Sequence, residues 1–247
     1  MPLDVVDLKT FYAARLGTIA RRLIGARLRQ LWPSVSGDRV LGIGYATPYL
    51  AELGGEADCC LAFMPAELGV MHWPVGAPNA AALIQDEALP LPGASVDRVL
   101  AIHSLEMADN AGDLLRELWR ILAPGGRILV VAPNRRGLWA RSERTPFGQG
   151  QPFSRGQLGA LLRETMFSPV AWTSALMMPP LANGLLVRGG TTGERIGSVL
   201  WPRFAGVLMV EATKLVRQPV RALPARERRT ARALKPAWTP TAGVGAR

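Results

Sequence analysis

Residues 114–131 read LLRELWRILAPGGRILVV, and this stretch decides the fold class. Its first half repeats apolar residues at helical spacing and predicts an amphipathic helix that Asp109 or Asn110 can cap. The Pro124-Gly125-Gly126 turn ends that helix. The second half, residues 128–132, is apolar at every position, as is typical of a parallel strand covered on both faces. A helix followed at once by a buried strand is a unit of an α/β fold.

The same alternation extends in both directions from this stretch. Apolar runs predict further strands at residues 39–44, 58–63, 80–84, 97–102, 170–176 and 207–214. Further helices are predicted at residues 4–32, with Gly17 and Gly25 allowing a break, and at 47–53, 65–72 and 154–164. We therefore predict a doubly wound, mostly parallel sheet. Ligands in such sheets bind beyond the carboxyl ends of the strands.

Charge divides the 247 residues into three parts. The net charge is +10, and residues 1–36 hold six Lys and Arg against two acids, whereas residues 217–247 hold eight against one. We predict an N-terminal helical segment (1–36), a nearly neutral α/β domain (37–216) and a basic, disordered tail (217–247). Basic ends attract the phosphates of nucleic acids or an anionic membrane surface, although a solvated tail has the same composition.

Composition excludes several classes of protein. Hydrophobic residues make up 49% and charged residues 19%, which excludes an intrinsically disordered chain. No uninterrupted apolar run reaches the roughly 18–20 residues of a membrane helix, and no signal peptide is expected. The adjacent Cys59 and Cys60 exclude a disulfide framework and favour a reducing cytoplasm. The histidines and cysteines have no metal-ligand spacing, so we expect no metal site.

Candidate binding residues follow the predicted strands. Gly42 and Gly44 form a glycine turn that lacks the third position of a dinucleotide-binding motif. Asp86 and Glu87 are an acidic pair after the third strand, suited to an amino or hydroxyl group of a ligand or to a solvated turn. His103 follows the strand at 97–102 and is a candidate general base, or a buried residue held by structural hydrogen bonds.

A loop of unusual length, residues 133–155, follows the strand at 128–132 and borders the same edge of the sheet. Arginine and aromatic residues alternate in it, a pattern that suits an anionic or stacked ligand such as RNA, or a protein partner. A basic lid packed on the domain is equally compatible. The candidate substrate or partner contacts are Arg135, Arg136, Trp139 and Arg141.

Two stretches together resemble the class I S-adenosylmethionine-dependent methyltransferases, and the type 11 group in particular. They are residues 89–100, LPLPGASVDRVL, and residues 114–131, which match the family's turn, fourth strand, helix, Pro-Gly-Gly turn and fifth strand in order. The resemblance implies a Rossmann-like sheet of seven strands with the last one antiparallel. It also implies S-adenosyl-L-methionine as the cofactor and methyl transfer to an unknown acceptor.

The cofactor motif departs from the family pattern at several positions. Gly42 stands where the family has an acid, and Phe63 falls at the position of the acid that holds the ribose hydroxyls. Ala46 and Pro48 replace glycines, and Gln85 replaces the acid of the third strand. The cofactor residues that the resemblance implies here are Gly42, Gly44, Tyr45, Phe63, Asp86 and Glu87.

These observations leave three functions open. The first is a methyltransferase whose acceptor enters between the 133–155 loop and residues 177–200, with His103 as candidate base. The second is a catalytically inactive protein of the same fold that binds a protein or RNA partner. The third is association with nucleic acid through the basic ends, which predicts binding that weakens steeply with salt.

Overall fold

The computed structural model describes residues 3–180 and 205–216. Its helices are α1 (Val5–Ala13), α2 (Arg15–Leu31), α3 (Thr47–Leu53), α4 (Ala111–Ile121) and α5 (Arg155–Glu164). Its strands are β1 (Arg39–Gly44), β2 (Cys59–Pro65), β3 (Ala81–Ile84), β4 (Val96–Ile102), β5 (Leu122–Pro133), β6 (Phe167–Ala175) and β7 (Val207–Lys214). Residues 1–216 form one compact unit. The predicted basic tail and residues 181–200 of the predicted acceptor entrance lie outside the described residues.

The strands of the described residues form one sheet in the order β3-β2-β1-β4-β5-β7-β6. Strands β1 to β5 are parallel, and β7 runs antiparallel to both β5 and β6. The predicted seven-stranded sheet with an antiparallel last strand is thereby confirmed. The strand order reverses between β1 and β4, which is the place where open α/β sheets form a ligand crevice.

Side chains that alternate along each strand enter two hydrophobic clusters, one on each face of the sheet. In β1, Val40 packs into the cluster that contains the N-terminal helices and α3, whereas Leu41 packs into the cluster of α4 and α5. A sheet that is covered on both faces needs apolar residues in both registers. This explains why the central strands read as nearly continuous apolar runs.

The N-terminal segment contains two helices rather than one. The chain leaves the helical conformation at Ala14, with ψ 161°. Gly17 and Gly25, which the sequence suggests as places for a break, lie inside α2. Gly17 serves another purpose, because a Cβ atom there would collide with the carbonyl oxygen of Phe11. The glycine lets α2 pass close against the end of α1.

Residues 65–72 are not the helix that the sequence predicts. Strand β2 continues to Pro65, and turns follow at residues 66–68. Gly69 has a φ of +79°, a conformation that ends regular structure and that glycine adopts without strain. The predicted helix at residues 47–53 is observed as α3, and the residue before it, Ala46, makes no side-chain capping hydrogen bond.

Helices α4 and α5 both begin with side-chain caps, and the predicted Asn110 cap of α4 is confirmed. The Asn110 side chain accepts hydrogen bonds from the backbone of Gly112 and Asp113 at the start of α4. Ser154 and Gln157 form a reciprocal capping box at the start of α5. Among residues 3–180 and 205–216, no helix has the length and apolar character that crossing a membrane requires.

Candidate functional site

A cavity of about 360 Å³ lies beyond the carboxyl ends of the parallel strands. Its wall combines residues 65–68 from the end of β2 onward, residues 84–87 from the end of β3 onward, and His103 with residues 107–110 after β4. Leu3, just before α1, completes it. The volume lies within the range of small-molecule sites, and the place is the one where doubly wound sheets bind ligands.

Carboxylates dominate the polar lining of this cavity. The four acids are Glu67, Asp86, Glu87 and Asp109, and the lining that the structure describes contains no lysine or arginine. Burial raises the pKa of Asp86 to about 6, and repulsion from the other three acids adds to the effect. Such a lining favours a cationic or hydrogen-donating ligand over a phosphorylated one.

Asp86 also offers an unused hydrogen-bond acceptor. Its Oδ1 atom is buried and has no hydrogen-bond partner. A buried acceptor without a donor is costly, by about 1–3 kcal/mol. A ligand N–H or O–H group in the cavity would satisfy it.

The structure places the predicted cofactor residues in two groups. Asp86 and Glu87 line the cavity, whereas Gly42, Gly44, Tyr45 and Phe63 are absent from its lining. A Cβ atom at Gly42 would lie only 2.6 Å from a methyl carbon of Leu50, so the space of the family's acid is filled. Phe63 is 5% exposed and packs in the cluster of α4 and α5, so only a small part of its ring is accessible to a ligand.

Glu67 is the lining residue that the sequence analysis missed. It lies in the turn just after β2, the strand end where the resemblance implies a ribose contact, four residues beyond Phe63. The sequence predicts a helix at residues 65–72. A residue inside a helix is not a candidate for an acid at the end of a strand, so Glu67 was not identified. The signal was its position between Pro65 and Gly69, two residues that favour turns.

The glycine turn after β1 is covered by α1. Gly44 has a φ of +79°, and a Cβ atom there would collide with the carbonyl oxygens of Ile102 and His103. The Tyr45 backbone N–H donates to the Ile102 carbonyl at 2.8 Å. The Tyr45 ring stacks on Tyr12 of α1, with ring centroids 5.5 Å apart and planes at 24°.

His103 lies at the meeting point of these elements. It follows β4 with a φ of +51°, and such a left-handed conformation costs a non-glycine residue about 1–3 kcal/mol. Its Nε2 atom is 2.9 Å from the hydroxyl oxygen of Tyr12. The Tyr49 hydroxyl donates in turn to the Tyr12 hydroxyl at 3.3 Å. Strained residues of this kind concentrate at functional sites.

Glu106 lies on the other side of the His103 ring. Its Oε1 atom is 3.3 Å from His103 Nδ1, without the alignment of a hydrogen bond. The residue is 3% exposed, and neither carboxylate oxygen has a hydrogen-bond partner. A buried carboxylate in this state is expensive unless a positive or donating group compensates it.

The hydrogen bonds of Tyr12 indicate where the hydrogens of its hydroxyl and of the His103 ring lie. Burial, first of all, raises the pKa of Tyr12 well above its ordinary value, so the phenol keeps its proton. Because the Tyr12 hydroxyl accepts from Tyr49, its own hydrogen is directed at His103 Nε2, in the tautomer of the imidazole that carries its hydrogen on Nδ1.

The 133–155 loop packs against His103 through Phe147, with ring centroids 4.7 Å apart, and supplies no lining residue to the cavity. Trp139 is fully buried, and its indole N–H donates to the Met178 carbonyl at 2.6 Å. It anchors the loop, so the prediction that it contacts a substrate or partner does not agree with its burial. Arg135, Arg136 and Arg141 are exposed on the loop surface. Residues 3–180 and 205–216 contain no group of three or more potential metal ligands.

Comparison with known proteins agrees with the fold. Residues 41–130 match the family model described as a methyltransferase domain. This match covers 90 of the 247 residues, and the sheet order agrees with the fold that the resemblance of residues 89–100 and 114–131 implies. No curated protein matches the chain.

Solved structures share its architecture at low sequence identity. A methyltransferase of Thermotoga maritima, described as a possible histamine N-methyltransferase, is 18% identical with a TM-score of 0.60, over 85% of this chain and 96% of its own. A Haloferax volcanii methyltransferase, solved in complex with the activator Trm112, is 17% identical with a TM-score of 0.59, over 86% and 99%. The [4+2]-cyclase SpnF is 20% identical with a TM-score of 0.56, over 80% and 81%. These likenesses concern the fold alone.

Proposed function

We propose that this protein is an S-adenosylmethionine-dependent methyltransferase whose cofactor binds with its adenosyl part in the acidic cavity. The observation that carries the proposal is the unpartnered Oδ1 atom of Asp86 in that cavity. An adenosyl group has hydroxyl and amino donors that would satisfy it. Glu67 and Glu87 would accept further hydrogen bonds, in place of the acid that Phe63 replaces.

The charge of the cavity supports the same choice of cofactor. S-adenosylmethionine carries a sulfonium cation, which supplies the electrophilic methyl group when the cofactor is bound. The four carboxylates attract such a cation, whereas they repel the phosphates of a nicotinamide dinucleotide. What the chain itself contributes is orientation, and positioning supplies much of the acceleration in a displacement reaction.

Titration calorimetry with S-adenosylmethionine tests the proposal. We expect saturable binding with a Kd below ~100 µM. Asp86→Asn should weaken binding about tenfold, because it removes the charged acceptor. Asp58→Asn, which changes an exposed acid outside the lining, is the matched control and should leave the Kd unchanged. Absence of binding at millimolar concentration would contradict the proposal.

A catalytically inactive binding protein is the second candidate. The cover that α1 places over the glycine turn favours it, together with the filled space at Gly42. The partner would be a protein or an RNA that contacts the exposed Arg135, Arg136 and Arg141, as proposed for the loop and the basic ends. One structural neighbour was solved with a protein activator, which makes a protein partner a reasonable first choice. The cytoplasmic location stays a prediction.

A further inference from the structure

The ring of Tyr12 fills a slot whose walls are aromatic. Tyr45 stacks on one face of the ring. Tyr49 meets it edge-on at 6.1 Å between centroids, and His103 at 5.9 Å. All three of these wall residues lie outside α1. The slot is therefore shaped and lined for one flat aromatic group.

The polar end of the slot fits a hydroxyl group. The Tyr12 hydroxyl donates to His103 Nε2 at 2.9 Å, so the wall offers an acceptor at the point where a phenol carries its proton. Behind the imidazole ring lies Glu106, buried and with both carboxylate oxygens unpartnered. A positive charge on the imidazole would be compensated by this carboxylate at 3.3 Å.

The slot adjoins the proposed cofactor cavity and is closed by a small element. His103 is common to both, since it also contributes to the cavity lining. Helix α1 has only nine residues, ends at the extended Ala14, and is tied at its start by the hydrogen bond from Val5 N–H to the Leu68 carbonyl. A helix of this length owes its stability to packing rather than to its own backbone hydrogen bonds.

We propose that the slot filled by Tyr12 is the acceptor site, and that Tyr12 occupies it in the acceptor-free protein in place of an aromatic hydroxyl compound. This inference rests on the proposed methyltransferase function. His103 is the catalytic residue that takes the acceptor's proton, and Glu106 is a positioning residue that aligns the imidazole ring and compensates its charge.

The acceptor's O–H bond breaks, and its proton forms a new N–H bond at His103 Nε2. The acceptor oxygen keeps the electron pair and uses it for the bond to the methyl group, while the pair of the broken C–S bond stays on sulfur. The acceptor class is therefore a phenol, because the slot supplies ring stacking and a single proton acceptor.

Ligand binding without a methyl donor gives the first test. We expect p-cresol to bind the Tyr12→Ala variant about tenfold more tightly than toluene, which has no hydroxyl to satisfy His103. The preference should vanish in Tyr12→Ala/His103→Leu. If p-cresol and toluene bind Tyr12→Ala equally, the inference is overturned whatever the outcome with S-adenosylmethionine. If Tyr12→Ala does not fold, Tyr12→Phe takes its place in the test. It removes only the hydroxyl and should bind p-cresol more tightly than the wild-type protein.

Methyl transfer gives the second test and separates the two proposals. The wild-type protein with S-adenosylmethionine should convert p-cresol to its methyl ether, and His103→Gln should lower kcat at least a hundredfold at saturating cofactor. Glu106→Gln should lower kcat about tenfold at constant KM for p-cresol, with partial rescue by Glu106→Asp. A protein that binds the cofactor normally but methylates no phenol, or a His103→Gln variant with full activity, overturns the inference and leaves the proposed function intact.

Discussion

At the scale of single residues, Asp86 shows how a binding site conflicts with stability. Its pKa is raised to about 6 from an ordinary value near 3.8, because burial and three neighbouring acids disfavour the ionised form. Between these two pH values the folded state binds more protons than the unfolded state, so the free energy of unfolding falls as pH rises. Above about pH 6 Asp86 is ionised in the folded state, and the free energy of unfolding of the ligand-free protein is lowered by the full amount.

The Asp86→Asn variant should therefore be more stable than the wild-type protein at pH 7.5. We expect a gain of about 1 kcal/mol, after allowance for the partial exposure of the side chain to solvent. At pH 3.5 the folded state is protonated at Asp86 and the unfolded state is largely so, and the difference should shrink to a few tenths of a kcal/mol. Urea denaturation at the two pH values measures it. Equal stability of the two proteins at pH 7.5 would show that the ionised Asp86 does not destabilise the folded state.

Cofactor binding should depend on pH in the opposite direction. Only the ionised Asp86 carboxylate gives its full acceptor strength, so affinity should fall as pH drops through about 6. Between pH 7.5 and 5.5 we expect a loss of about fourfold in calorimetry. The change should be absent in Asp86→Asn, and a wild-type Kd that is constant over this range would argue against Asp86 as a contact.

Gly44 lies at the glycine turn after β1, and Gly125 serves as its matched control elsewhere in the chain. Both have a positive φ, but a Cβ atom at Gly44 would collide with backbone oxygens after β4, whereas nothing lies within 4 Å at Gly125. Gly125→Ala should cost about 1–2 kcal/mol, from conformation alone. Gly44→Ala should cost more than about 3 kcal/mol. Thermal unfolding compares them, and equal losses would refute the close approach.

At the scale of elements, α5 begins with a capping box that is separate from the site. Ser154 accepts from the Gln157 backbone, and the Gln157 side chain accepts from the Ser154 backbone. Ser154→Ala should lower the free energy of unfolding by about 1 kcal/mol, and Ser154→Thr should keep most of it. Cofactor affinity should be the same in all three proteins. A stability loss in Ser154→Thr as large as in Ser154→Ala would argue against the cap.

Elements with strong local signals are the ones that the sequence predicts well. The periodicity and caps of α4 and α5, and the run at Arg39–Gly44, agree with the structure to within a residue. The turn at residues 66–68 was missed because its few residues also suit a short helix. The site depends on contacts between distant parts of the chain, such as Tyr12 with His103, 91 residues apart. No local pattern encodes such a contact.

At the scale of the whole molecule, charge and fold are separable. Removing residues 217–247 takes away eight positive charges and one negative charge, which lowers the net charge from +10 to +3. Residues 1–216 form a compact unit, so the truncated protein should keep its melting temperature and its affinity for S-adenosylmethionine. Any binding to RNA should fall at least tenfold and lose most of its salt dependence. Unchanged RNA affinity would assign that binding to the loop arginines or α2.

The position of Leu3 in the cavity wall has a practical consequence for anyone who prepares this protein. A purification tag or fusion partner attached before that residue would sit at the mouth of the ligand site, and its histidines or charged linker would compete with small molecules for the carboxylates. Affinities measured on such material would be too weak. Tags belong at the opposite end of the polypeptide, or should be cleaved before any ligand is titrated.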